Sequence, residues 1–283
     1  MATVEQVPDR AQWDATNYSN KDRLLRVVRE EARRVMELAE RPEHWEAPTA
    51  CGHWQVRDIV GHMVDVTEGY LKSFDIARSG GQAEPALGLR VMAKRLDERA
   101  QAFRSVPQSE LLRRLRNDFE RVMAIFEGLS ADEWTGLQVP HAYMGPLPAF
   151  IYPVFQLMDY GVHGWDIREG LGLPNGLPGD VADFLAPFKF ILWQVTTDTE
   201  RVGSEPIQVG FRVSGRNGGT WRVTVTASGY AYEPCPPDEL NAPTVFEFDP
   251  GSLVLTAFGR VRAGTAYGDQ RLADRYRSLF FSI

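Results

Sequence analysis

Cysteine and histidine are scarce in this chain: two of the first, Cys51 and Cys235, and five of the second in 283 residues. Two cysteines so far apart fit a reducing cytoplasm better than a disulfide scaffold. Neither sits in a nucleophile signature, so both read as inert thiols. Long apolar runs are also missing, and nothing approaches the roughly 20 residues of a membrane span. Met1 to Asp14 is polar, with Glu5, Asp9 and Arg10 where an export signal needs an apolar core. There is no cationic excess either. A net charge of −7 gives no global field for nucleic acid or an anionic membrane, and Arg113-Arg114-Leu115-Arg116 reads as the solvated face of a helix. With 43% apolar and 24% charged residues, the composition is that of a soluble globular protein without low-complexity segments or internal repeats.

The first half is helical by periodicity. Ser19-Asn20-Lys21-Asp22 resembles a capping box and opens a run with Leu24, Leu25, Val28, Ala32, Val35 and Met36 at helical spacing. Further helices are expected over 55–78, 88–105 and 109–129. A last one begins between Pro146 and Pro153 and stops at Gly170-Leu171-Gly172. Pro153 must lie in its first turn or kink it. Helices joined by modest loops predict an antiparallel four-helix bundle, and 178–197 reads as one further helix. Beyond Gly203 the period changes to two: 207–213, 221–226 and 244–248 alternate as strands, followed by a short helix from Pro250 and a final helix over 271–280. The expected fold is α+β, with a helical domain over 1–200 and a small α+β domain over 201–283.

The stretch Asp159-Tyr160-Gly161-Val162-His163 carries the chemistry. A carboxylate and an imidazole four residues apart share one helix face, which is half of what a divalent ion asks of a protein. A third ligand is needed. Of the histidines, His44 lies in a polar loop, and His53 and His141 are in loops from which they can line a cleft. His62 alone sits on the apolar side of a predicted bundle helix, where an unpartnered imidazole is costly. His62, Asp159 and His163 would supply three ligands and leave a position open, the catalytic arrangement. Asp166 is placed to support His163, and Asp58 or Asp65 to support His62. Gly161 and Gly164 suggest close packing of the ligand helix.

Two motifs extend this reading. Trp54-Gln55-Val56-Arg57-Asp58-Ile59-Val60-Gly61-His62 and Val162-His163-Gly164-Trp165-Asp166 resemble those of the mycothiol-dependent maleylpyruvate isomerase family. Gly219-Thr220-Trp221-Arg222-Val223, Phe258-Gly259-Arg260 and Gly268-Asp269-Gln270-Arg271-Leu272-Ala273 resemble markers of its C-terminal domain. The resemblance implies a DinB-like bundle and a sterol-carrier-like α+β unit. It also implies a divalent metal, most often Zn2+ with Ni2+ as an option, at His62, Asp159 and His163. Asp159 stands where the family has glutamate, one methylene longer. Arg260 matches an arginine that the family turns toward the metal cleft. The implied chemistry is activation of mycothiol or a similar thiol for thiol transfer to, or cis–trans isomerisation of, a small electrophile. The partners are then a small substrate and a thiol, with no nucleic acid or membrane, on a monomer or homodimer. Two alternatives stay open: a hydrolase using metal-bound water, and a non-catalytic protein that binds metal or a small ligand.

Overall fold

A computed structural model describes residues 13–283; the polar stretch read as lacking an export signal lies outside them except for Trp13 and Asp14. Two compact units emerge among the described residues, one of residues 15–181 and one that joins Trp13 and Asp14 to 182–282. The division falls before the predicted boundary near 200, because 188–196 packs with the sheet: Phe190 and Trp193 are buried in its core. No helix among the described residues is long and apolar enough to cross a membrane.

The first unit runs α1 (Lys21–Ala39), α2 (Val56–Ser79), α3 (Leu89–Gln101), α4 (Gln108–Glu127), α5 (Ala131–Gly136), β1 (Gln138–His141), β2 (Gly145–Pro148) and α6 (Ile151–Gly170). Helices α1, α2, α4 and α6 form the bundle, each contributing an apolar stripe. Leu24, Val28, Ile59, Phe74, Phe119, Phe126 and Leu157 are all buried, with Phe74 edge-on to Phe126 at 5.8 Å and Phe119 edge-on to Tyr160 at 5.4 Å. Pro153 falls in the first turn of α6, where a missing amide hydrogen breaks no helical bond. The capping box expected at Ser19 does not form. Asn17 instead caps a 3-10 turn over Tyr18–Asn20 that runs into α1. One does form at α5, where Ser130 and Glu133 satisfy each other's amides. Residues 138–148, expected as a loop, make an antiparallel hairpin.

The second unit holds α7 (Gly179–Leu185, which straddles the division), α8 (Phe188–Thr196), β3 (Ile207–Val213), β4 (Gly219–Thr226), β5 (Gly229–Pro234), β6 (Thr244–Phe248), α9 (Pro250–Ala257), β7 (Thr265–Gly268) and α10 (Gln270–Arg277). The single helix expected over 178–197 is two, broken at Ala186-Pro187, since proline cannot continue a helical ladder. The sheet order is β5-β4-β3-β6-β7, with β3 and β6 parallel and the other pairs antiparallel. Phe211, Phe246 and Val223 from the sheet pack with Phe190 and Trp193 of α8 and Tyr276 of α10.

One residue of this core is out of place. Lys189 on α8 is fully buried, and its Nζ finds no hydrogen-bond acceptor. Its company is the Phe258 ring, 4.1 Å away. Burial pushes the ammonium down to about 7. The folded protein therefore favours the neutral amine, while the unfolded chain binds the proton up to about pH 10.4. Lys189 thus weakens the fold at neutral pH, and this penalty fades as pH rises from about 7 toward 10. Lys189→Met is expected to raise the melting temperature at pH 7 and to flatten its rise between pH 7 and 9, read by calorimetry. A lower melting temperature at pH 7 would count against an uncompensated ammonium.

Candidate metal centre

Helices α2 and α6 each place a row of residues at four-residue intervals on their facing sides: His62, Val66 and Tyr70 on one, Phe155, Asp159 and His163 on the other. The upper members converge. One ligand atom from each of His62, Asp159 and His163 lies within 4.8 Å of the others. The two imidazole rings stand 5.2 Å apart and nearly perpendicular. His62 Nε2 is 3.7 Å from Asp159 Oδ1, too far for a hydrogen bond. It is close to the roughly 3.4 Å that separates two ligands on one tetrahedral ion with bonds near 2.1 Å. The second oxygen, Asp159 Oδ2, is buried without a hydrogen-bond partner, and such an orphan asks for an ion or a donor. Two imidazoles, one carboxylate and that orphan fit a divalent ion. The shorter aspartate side chain does reach the cluster.

Asp166 supports the site from behind. It is fully buried, and its Oδ2 lies 2.9 Å from His163 Nδ1. With Nδ1–H given to a carboxylate, Nε2 is the nitrogen of His163 that would face an ion. Asp166→Ala is expected to weaken metal affinity about 10- to 100-fold, measured by competition with a chromogenic chelator. An unchanged affinity would show that Asp166 does not act on the ion. The expected partners of His62 are engaged elsewhere. Asp58 binds the Gln55 amide at the start of α2 and the guanidinium of Arg104, and Asp65 pairs with Arg99 on α3. Paired with Arg104, Asp58 stays below the usual carboxylate range although burial opposes this.

The rim is a loop. Thr49 takes the Trp54 carbonyl through both its amide and its hydroxyl, and the Ala50 amide donates to the Asp166 carbonyl at 3.0 Å. This folds residues 48–54 onto the end of α6 and lays the Trp54 ring over both imidazoles, 5.3 Å from His62 and 5.8 Å from His163. Trp54 Nε1 is tied to Asp97 of α3 at 2.7 Å. Cys51, read as inert, comes within 4.8 Å of His163 and Asp166. Because Asp166 Oδ2 is committed to His163, that group reads as support for the ligand. Neither Trp54 nor Cys51 was assigned a role from sequence; their place directly before the His62 helix was the available signal. Gly161 and Gly164 give close packing, against Val181 and Val35.

In the other unit, Phe258-Gly259-Arg260 is a helix stop. Gly259, at φ +67°, and Arg260 return their amides to Thr256 and Leu255 in a Schellman-type cap. Arg260 Nη1 donates to the Phe258 carbonyl at 2.9 Å.

The sequence pattern of the mycothiol maleylpyruvate isomerase N-terminal domain matches residues 25–168, more than half the chain, both ligand motifs included. The chain belongs to this family. Two crystal structures of mycothiol-dependent maleylpyruvate isomerase, one of a histidine-to-alanine mutant, superpose with TM-scores of 0.58 at 13% and 12% identity. Each alignment covers 87% of this chain and 92% of that one, so the family's two-part fold extends over both units. A crystal structure of the colibactin self-resistance protein ClbS with double-stranded DNA aligns over 53% of this chain and 94% of that one, at 15% identity and a TM-score of 0.46, too low to carry an argument. No curated protein matches by sequence comparison.

Proposed function

We propose that this family member is a divalent-metal-dependent enzyme that activates a small thiol, mycothiol or one like it. Its reaction is cis–trans isomerisation of a small conjugated acid of the maleylpyruvate kind, with thiol transfer as the variant in which sulfur stays on the substrate. The family supports thiol-dependent isomerase chemistry in general. The observation that supports the metal is the convergence of His62, Asp159 and His163 with one buried carboxylate oxygen left over. Zn2+ suits this donor set best, with Ni2+ as the runner-up. A bound divalent ion would keep net positive charge against one carboxylate and two neutral imidazoles, so a thiol coordinated there would give up its proton.

The chain's own groups do the rest. Asp166 holds His163 in one tautomer and orientation, and the Trp54 ring covers both imidazoles. The thiolate adds to the conjugated double bond, and the electron pair moves to the carbonyl oxygen as an enolate. The former double bond rotates, and the enolate returns its pair to expel the thiolate, so no atom is gained or lost. A reducing cytoplasm suits such a thiol.

The test is turnover of maleylpyruvate to its trans isomer by metal-loaded and chelated protein, with and without mycothiol. Activity should require both metal and thiol. Metal-dependent cleavage of the substrate without thiol, in place of its isomerisation, would replace this reading with hydrolysis through metal-bound water.

A further inference from the structure

The rows on α2 and α6 continue past the ligands into a second group of side chains. Beyond Asp159 on α6 lies Phe155, and beyond Val66 on α2 lies Tyr70. The two rings are stacked at 6.3 Å. His141, at the end of β1, packs on the same patch, 5.5 Å from Phe155 and 6.4 Å from Tyr152, while Tyr70 stands 5.1 Å from Tyr152. Phe155 is half-buried, so part of its face is open.

Two features set His141 and Tyr70 apart from ordinary core rings. The His141 Nδ1 accepts the backbone amides of Tyr143 and Met144, at 3.3 and 3.2 Å. The proton of the neutral ring must therefore sit on Nε2, which makes that edge a donor only. Burial holds the ring neutral, pushing it down to about 4 although the charge of Asp159 pulls the other way. Tyr70 is likewise kept protonated, by burial first and by Asp159 second. Among the described residues no hydrogen bond occupies His141 Nε2–H or the Tyr70 hydroxyl; His141 is half-buried and Tyr70 is 7% exposed. Two neutral donors beside an aromatic face form a site for a flat molecule with an oxygen acceptor.

We propose that His141 Nε2–H and the Tyr70 hydroxyl bind the carbonyl or carboxylate oxygen of a planar, conjugated acid lying on Phe155, beside the cluster of His62, Asp159 and His163. This rests on the thiol-dependent reading above. There the pair gains importance as thiolate adds, because the electron pair arrives on the oxygen they hold. The donors need only hydrogen-bond that oxygen, and no proton is transferred.

Three substitutions separate this role from packing. His141→Asn keeps an acceptor for the two amides and withdraws the donor. His141→Gln presents an N–H at the reach of Nε2, and Tyr70→Phe removes only the hydroxyl. The probe is maleate, a small unsaturated dicarboxylate, titrated calorimetrically into metal-loaded protein. Metal content, melting temperature and the spectral response of cobalt-loaded protein to mycothiol are read alongside. His141→Asn and Tyr70→Phe should bind maleate about tenfold more weakly and lose about 100-fold in kcat, with metal, stability and thiol response unchanged. His141→Gln should recover part of both losses. Native affinity for maleate in the Asn and Phe variants, or no binding by the native protein, would overturn the proposal. Native protein that binds maleate through these residues but ignores mycothiol would sink the thiol reading and leave the donor pair standing.

Discussion

Alanine at His62, Asp159 or His163 is expected to empty the metal centre, each variant losing more than about 100-fold in affinity. This exceeds the 10- to 100-fold typical of removing a supporting residue, because two remaining ligands cannot enclose an ion that needs three protein donors. The measurement is elemental analysis after gel filtration, with affinity from chelator competition. One equivalent of metal retained by all three variants would sink the site. The stability of Asp159→Ala should change sign with loading. In chelated protein the substitution removes a buried oxygen that has no partner, relieving a penalty of about 1–3 kcal/mol, so the melting temperature should rise. In metal-loaded native protein, binding adds stability in proportion to the logarithm of metal concentration over Kd, and the same substitution should lower it. A purely structural ion pair between Asp159 and His62 would lower it in both conditions.

Gly170→Ala is expected to have a large effect on stability although it touches no ligand. A Cβ there would stand 2.2 Å from the Pro48 carbonyl oxygen and 2.5 Å from Thr49 Cα. Both are backbone atoms, so no rotamer change relieves the clash, and the 48–54 loop must lift from the end of α6. Overpacking of this kind costs about 3 kcal/mol, a drop of roughly 6–12 °C for a unit of this size. The loop carries the Ala50–Asp166 bond and the Trp54 ring, so metal affinity should fall with stability. Gly176→Ala, which meets nothing within 4 Å, is the control. Equal melting temperatures for the two variants would mean that the loop is not clamped.

The ligand helices were legible in sequence because burial and metal ligation impose the same period. His62 follows Ile59 by three residues and lies on the buried face of α2, and Asp159 and His163 share a face by spacing alone. The parts that were not legible depend on residues far away. Asp58 and Asp65 stand on the right helix to serve His62, yet Arg104 and Arg99 claim them, and nothing local reveals an arginine 46 or 34 residues on. The hairpin over 138–148 holds Pro140, Pro146 and Pro148 and shows no alternation. β7 is four residues long and pairs with β6 only in three dimensions. The break at Pro187 was visible as a proline inside a helical pattern, and the pattern masked it. His141 could be placed in a loop, but its tautomer is set by amides two and three residues on, which only the folded turn presents to it.

The way the chain is divided bears on how it folds. Trp13 belongs with the second unit, where its ring lies under the Arg216 guanidinium and its carbonyl accepts Asn217 Nδ2 from 204 residues away. The bundle is thus an insertion within its neighbour's chain. While residues 15–181 are unfolded, seating Trp13 means closing a loop that contains all of them; once they fold, most of that entropy has already been lost. The α+β unit should therefore seat Trp13 last, after the bundle has folded. A substitution that unfolds the bundle should loosen the Trp13 seat without touching any residue that forms it.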